Sequence, residues 1–124
     1  MKFNRHILLL FLSVVAASLF VSCGAKPKYF DIDLIVGKWV SGTEYYRYDS
    51  DGTGITWDTS DDVSEEEGQL YKWEYNSDDN SLTLMHQMEM GGVIPKYYTL
   101  QKLTDNELVY KDKYNDISSF VRVQ

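Results

Sequence analysis

The sequence predicts an all-β domain behind a cleaved signal peptide: about eight short antiparallel strands in up-and-down order, as a barrel or a sandwich. Three observations carry this. Short runs alternate apolar and polar residues, as in "QLYKWEY" (69–75), where Tyr71, Trp73 and Tyr75 share one face and Lys72 and Glu74 the other. Tight-turn chemistry separates the runs, most clearly at Asp51-Gly52. No long segment has helical periodicity, so no crossover helix is expected between strands.

The first 22 residues differ from the rest. Lys2 and Arg5 form a basic head, and "ILLLFLSVVAASLFV" (7–21) follows without a charge. A basic head, an apolar middle and a small residue at the boundary make a secretory signal peptide. The run is short for a permanent span of the ~30 Å hydrocarbon core. Residues 23–33 then read as a tether. Pro27 blocks helix continuation there, and Lys26 and Lys28 can sit near anionic headgroups.

The domain is expected over residues 34–124. "YFDIDLIVGKW" (29–39) reads as one short helical turn or an extended entry. Strands follow at "KWVS" (38–41), "TEYYRY" (43–48) and "GITWD" (54–58). "QLYKWEY" comes next, then "SLTLMHQM" (81–88), which puts Leu82, Leu84, His86 and Met88 on one face. "VIPKYYTLQKL" (93–103) is the longest strand. Its Pro95 cannot donate to a ladder and marks an edge, a bulge or a strand start. "ELVYKDKY" (107–114) and "SFVRV" (119–123) close the series.

Charge excludes one class of partner. Beyond residue 22 lie all 19 acidic residues but only ten basic ones. Such a domain repels phosphate backbones, so no nucleic-acid partner is expected, and the surface favours a soluble monomer. The single cysteine permits no internal disulfide. Ten tyrosines and three tryptophans, all beyond residue 28, must help to close the core instead.

Two resemblances add to this reading. Phe20-Val21-Ser22-Cys23 resembles a bacterial lipobox, departing from the commoner Leu at its first position. The resemblance implies lipidation of Cys23, cleavage before it and a membrane partner reached through an N-terminal lipid anchor. Two or three acyl chains hold a protein firmly where one does not. Gly24 does not resemble an inner-membrane retention signal, and no acidic residue follows before Asp31. The implied address is the cell envelope: the outer membrane, facing the periplasm, with the cell surface as the alternative. Further on, "IVGKWV" carries Gly37-x-Trp39, and with "YRYDSDGTG", "YKWEYNSDDNSLTL", "YYTLQKLTDNELVY" and "FVRV" it resembles the small lipocalin-like (calycin) domains of bacterial lipoproteins. This implies an up-and-down barrel whose closed end packs Trp39 beneath Arg122. About 90 residues is short for a full lipocalin, which leaves the cavity small or absent.

Candidate chemistry is sparse. His86 is the only histidine beyond residue 22, and neither a Ser-His-Asp set nor a Cys-His set can be assembled around it. No metal or cofactor site is expected. "DTSDDVSEEEG" (58–68) holds six acids without EF-hand spacing and reads as a solvated, mobile loop beside the barrel mouth. Tyr46, Tyr48, Trp57, Trp73, His86, Tyr98 and Tyr110 are the candidates to line a ligand pocket, because aromatic groups with polar handles suit such sites. The expected function is non-catalytic binding of a small apolar or amphipathic ligand. The alternative is a protein-interaction or inhibitor module with a filled barrel. A hydrolase using His86 stands third.

Overall fold

The computed structural model describes residues 30–124. Residues 1–22, read above as a signal peptide, and Cys23 lie outside the described residues. Eight antiparallel strands close into a barrel in sequence order. They are β1 (Gly37–Ser41), β2 (Glu44–Tyr48), β3 (Thr53–Asp58), β4 (Gln69–Asn76), β5 (Ser81–Gln87), β6 (Val93–Leu103), β7 (Glu107–Lys111) and β8 (Ile117–Arg122). The expected β-architecture is therefore present, and closure selects the barrel over the sandwich.

Two strand ends differ from the sequence reading. The expected strand 107–114 stops at Lys111, because the Asp112 carboxylate accepts from the backbone N–H groups of Tyr114 and Asp116 and bends the chain. The last strand accordingly starts at Ile117 rather than Ser119.

The entry segment forms one 3₁₀ turn, Ile32–Ile35, with the Asp31 carboxylate accepting from the Asp33 N–H. Its Ile35 is fully buried beneath the strands. The chain therefore enters at one end of the barrel and stoppers it.

The seam between β1 and β8 is short. It holds Trp39↔Arg122 and Val40↔Val121, extended by Val123 N–H donating to the Lys38 carbonyl at 2.9 Å.

β6 is the one long strand, and its two halves differ. Val93–Thr99 pairs with β5, whereas only Thr99–Leu103 pairs with β7. The β5–β6 hairpin thus rises above the rim opposite the entry turn, and among the described residues Val93–Tyr98 has one free edge. Leu100 N–H donates to Asn80 O at 2.8 Å, so even-numbered residues of this stretch turn their backbone groups toward β5. Val93, Pro95 and Tyr97 turn theirs to the free edge. Pro95 thus stands where its missing N–H leaves no ladder bond unmade.

Ile35, Trp39, Tyr48, Tyr71, Leu82, Leu84, Leu100, Leu103, Leu108, Tyr110 and Phe120 form the core. Each large side chain removed from water contributes ~1.5–3 kcal/mol toward folding. Gly54 makes room for one of them. A Cβ there would collide with the Tyr71 ring and the Arg47 carbonyl. Tyr71 instead crosses the wall at this point, and its hydroxyl donates to Arg47 O at 2.6 Å.

The acidic stretch after β3 is not a free loop. It forms two 3₁₀ turns, Thr59–Asp61 and Glu65–Glu67, the second closed by a Ser64–Glu67 capping box. Glu65 accepts from Lys38 Nζ at 3.0 Å and Arg47 Nη1 at 3.2 Å. The stretch thereby folds against the outer wall, where Ile55 is buried and Gly68 lies close to it. The two basic residues paired across β1 and β2, Lys38↔Arg47, supply the docking charge.

Candidate functional site

The closed end is built around Trp39. Its indole N–H donates to Ile35 O at 2.8 Å, fixing the ring beneath the entry turn. The Arg122 guanidinium lies over the ring, 4.3 Å from its centre. Arg122 also donates to the carbonyls of Leu34, Val36 and Asp105. Gly37 completes the arrangement. It holds φ +133°, and a Cβ would fall 2.5 Å from Nη1 of Arg122. The expected pairing of Trp39 with Arg122 is thus present, and it is a structural closure rather than a binding site.

The interior candidates divide. Tyr46, Tyr48, Tyr98 and Tyr110 do face inward together, but they fill the barrel. Tyr46 meets Tyr71 at 5.9 Å and Phe120 at 5.5 Å, Tyr48 meets Tyr71 at 5.5 Å, and Tyr98 meets Tyr110 at 4.3 Å. Trp73 sits toward the closed end. It packs 5.9 Å from Tyr48 and shares its indole N–H between Asp49 O and Thr53 O.

Trp57 departs from the expectation. It faces outward, stacked at 5.1 Å on its cross-strand partner Tyr45. Strand parity explains this: Gly54 and Thr56 take the inner positions of β3, opposite Tyr48 and Tyr46, and Trp57 alternates to the outside. Tyr71 and Phe120 were missed as interior neighbours. The alternation of "QLYKWEY" already placed Tyr71 with Trp73, but only the register shows that it reaches Tyr46 and Tyr48.

Burial raises the pKa of these phenols and so disfavours their ionisation. Tyr98 is pushed up to about 12, mainly by desolvation, with Tyr46, Asp112 and Glu44 adding repulsion. Tyr48, Tyr71 and Tyr110 are raised further, again chiefly by burial. All four stay neutral at physiological pH, which suits packing and gives no phenolate for catalysis.

His86 lies inside the wall, opposite Tyr71 and Ile94. Its Nδ1 is 3.0 Å from Gln69 Oε1, so Nδ1 carries the proton and donates. Nε2 is buried without a partner among the described residues. Desolvation, and then the charge of Lys96, lowers its pKa. It faces an amide and a tyrosine ring rather than a hydroxyl or thiol nucleophile. No group of three or more His, Cys, Asp or Glu side chains gathers among the described residues.

The open rim has a different character. Met88, Met90, Val93, Ile94 and Tyr97 are exposed along the raised hairpin, with Leu70 beside it on β4. Met88 was expected to share the core face of β5. It escapes burial because the hairpin outruns β7 at this height. Between the start of β4 and the β5–β6 turn lies a cleft of about 540 Å³, lined by Glu67, Gly68, Gln69, Leu70 and Gln87 through Met90. Gln69 bridges its floor, donating to Met88 Sδ at 3.5 Å while its oxygen holds His86. No family model, no curated protein and no solved structure matches this chain.

Proposed function

We propose that this is a lipid-anchored protein of the bacterial envelope whose barrel is a non-catalytic binding module, recognising a partner polypeptide at its open rim. One observation carries the choice of module over carrier. Tyr48, Tyr71 and Tyr110 are each no more than 2% exposed and occupy the volume a ligand would need. Val36 and Val121 aside, the exposed large apolar residues lie toward the open end, six of them on the raised hairpin and beside it on β4, and such a patch on a small domain supports an interaction site.

The anchor reading rests on the lipobox resemblance around Cys23, with the outer membrane facing the periplasm as the proposed address. The lipocalin-like reading rests on Gly37, Trp39 and Arg122 at the closed end of an eight-stranded barrel. A second reading, a small amphipathic ligand at the mouth, draws support from the buried, unpartnered His86 Nε2 below exposed Met88 and Ile94.

Two experiments test this. Labelling with an alkyne fatty acid is expected to mark the wild-type protein and not Cys23→Ala; an unlabelled secreted product rejects the anchor. A photo-crosslinking residue at Tyr97 is expected to capture a polypeptide in cells, while the same probe at Asp105, near the closed end, captures none. Co-purified lipid in native mass spectra, without a rim crosslink, selects the small-ligand reading instead.

A further inference from the structure

We infer that the cleft between the start of β4 and the β5–β6 turn receives a basic segment of the partner polypeptide that also carries apolar side chains. The inference rests on the binding-module reading and names the chemistry of the partner.

The lining is apolar and acidic at once. Leu70, Met88 and Met90 present apolar surface, and Met90 is 98% exposed. Methionine side chains are flexible and polarizable, and suit a surface that must adapt to its occupant. Among the described residues, the only charged ones in the lining are Glu67 and Glu89. Glu89 has no ion pair among the described residues. Glu67 uses Oε1 to accept from the Ser64 N–H and hydroxyl, which fixes the carboxylate at the cleft edge, and Oε2 has no hydrogen-bond partner among the described residues.

Two carboxylates beside the apolar surface of Leu70, Met88 and Met90 match one kind of side chain. Lys and Arg lay their methylene stems along apolar surface while the charged head reaches outward. The volume holds one or two such side chains. The net charge opposes the rival occupants. A second copy of this chain is acidic, and so is an anionic membrane surface, so both are repelled.

The test uses the full chain and two fluorescent decapeptides, one alternating leucine with lysine or arginine, the other with glutamate in place of every basic residue. Anisotropy is expected to show binding of the basic peptide only, weakened by added salt. Glu67→Gln/Glu89→Gln is expected to weaken it about tenfold. Because Glu67 also caps a turn, Glu89→Gln alone is the cleaner variant and is expected to show a smaller loss with unchanged circular dichroism. Met88→Ser/Met90→Ser is expected to weaken binding without altering its salt dependence. Equal binding of the acidic peptide, or full affinity in the double glutamine variant, overturns the inference. If neither peptide binds while the Tyr97 crosslink persists, the partner chemistry is wrong and the binding module stands. If both fail, both fall.

Discussion

Arg122 lies over Trp39 from the strand across the seam, while its guanidinium donates to carbonyls on both sides of that seam. One side chain therefore joins the entry turn, the first strand, the last strand and the β6–β7 turn. Arginine suits this because its planar fork carries five donors in fixed directions.

Arg122→Ala is expected to cost about 2–3 kcal/mol, from lost charge-assisted hydrogen bonds and the lost cation–π contact. Arg122→Lys keeps the charge but not the fork, and is expected to recover less than half of that. Chemical denaturation measures both. A lysine variant as stable as wild type rejects the multiple-carbonyl account.

Two buried tyrosines are expected to respond differently to loss of the hydroxyl. Tyr71 donates to Arg47 O, so Tyr71→Phe removes that hydrogen bond and is expected to cost about 1 kcal/mol. Tyr48 has a buried hydroxyl with no hydrogen bond of ordinary geometry among the described residues, so Tyr48→Phe is expected to be neutral or stabilising. A thermal melt of each variant decides; the reverse order contradicts the hydrogen-bond assignment.

His86 gives the fold a pH response. Unfolded, its imidazole titrates near 6.5, whereas the folded pKa is lower because burial, and then Lys96, disfavour the charged form. The unfolded chain thus binds more protons as pH falls through that value, and stability drops on the acid side. Asp51, Asp58, Glu65 and Asp79 are also shifted, but downward from the carboxylate range by Thr53, Ser60, Lys38 and Ser81 respectively. Their contribution is lost only at lower pH, which leaves the window just below 6.5 to His86. Denaturation midpoints at pH 7 and 5.5 are expected to differ in wild type, and to differ less in His86→Leu. An unchanged slope in the variant removes the assignment.

Pro95 guards the free edge of β6. Pro95→Thr restores an N–H among the outward-turned backbone groups of Val93 and Tyr97. The variant is expected to keep its fold and to self-associate as concentration rises, measured by light scattering. A variant that stays monomeric at high concentration shows that charge repulsion alone protects the edge.

Strand positions were legible because alternation and turn residues are local signals. The span 93–103 and the Asp51-Gly52 turn emerged as read. The Gly37, Trp39 and Arg122 closure was legible only through a motif split across the whole chain. Trp57 was misplaced because nothing local marks which parity of a six-residue strand turns inward. That parity is fixed at Gly54, by Tyr71 arriving from another strand. The acidic turns were misjudged for a related reason. Six acids in sequence suggest repulsion, and only the fold brings Lys38 and Arg47 together beneath Glu65.

The entry turn under Arg122 has a mechanical meaning. Any pull on the chain before Phe30 arrives at Leu34 and Val36, whose carbonyls Arg122 grips from the final strand. The force is shared across both sides of the seam before β1 can peel away. A knot tied at that point lets the barrel be tugged from outside while its far rim keeps its shape.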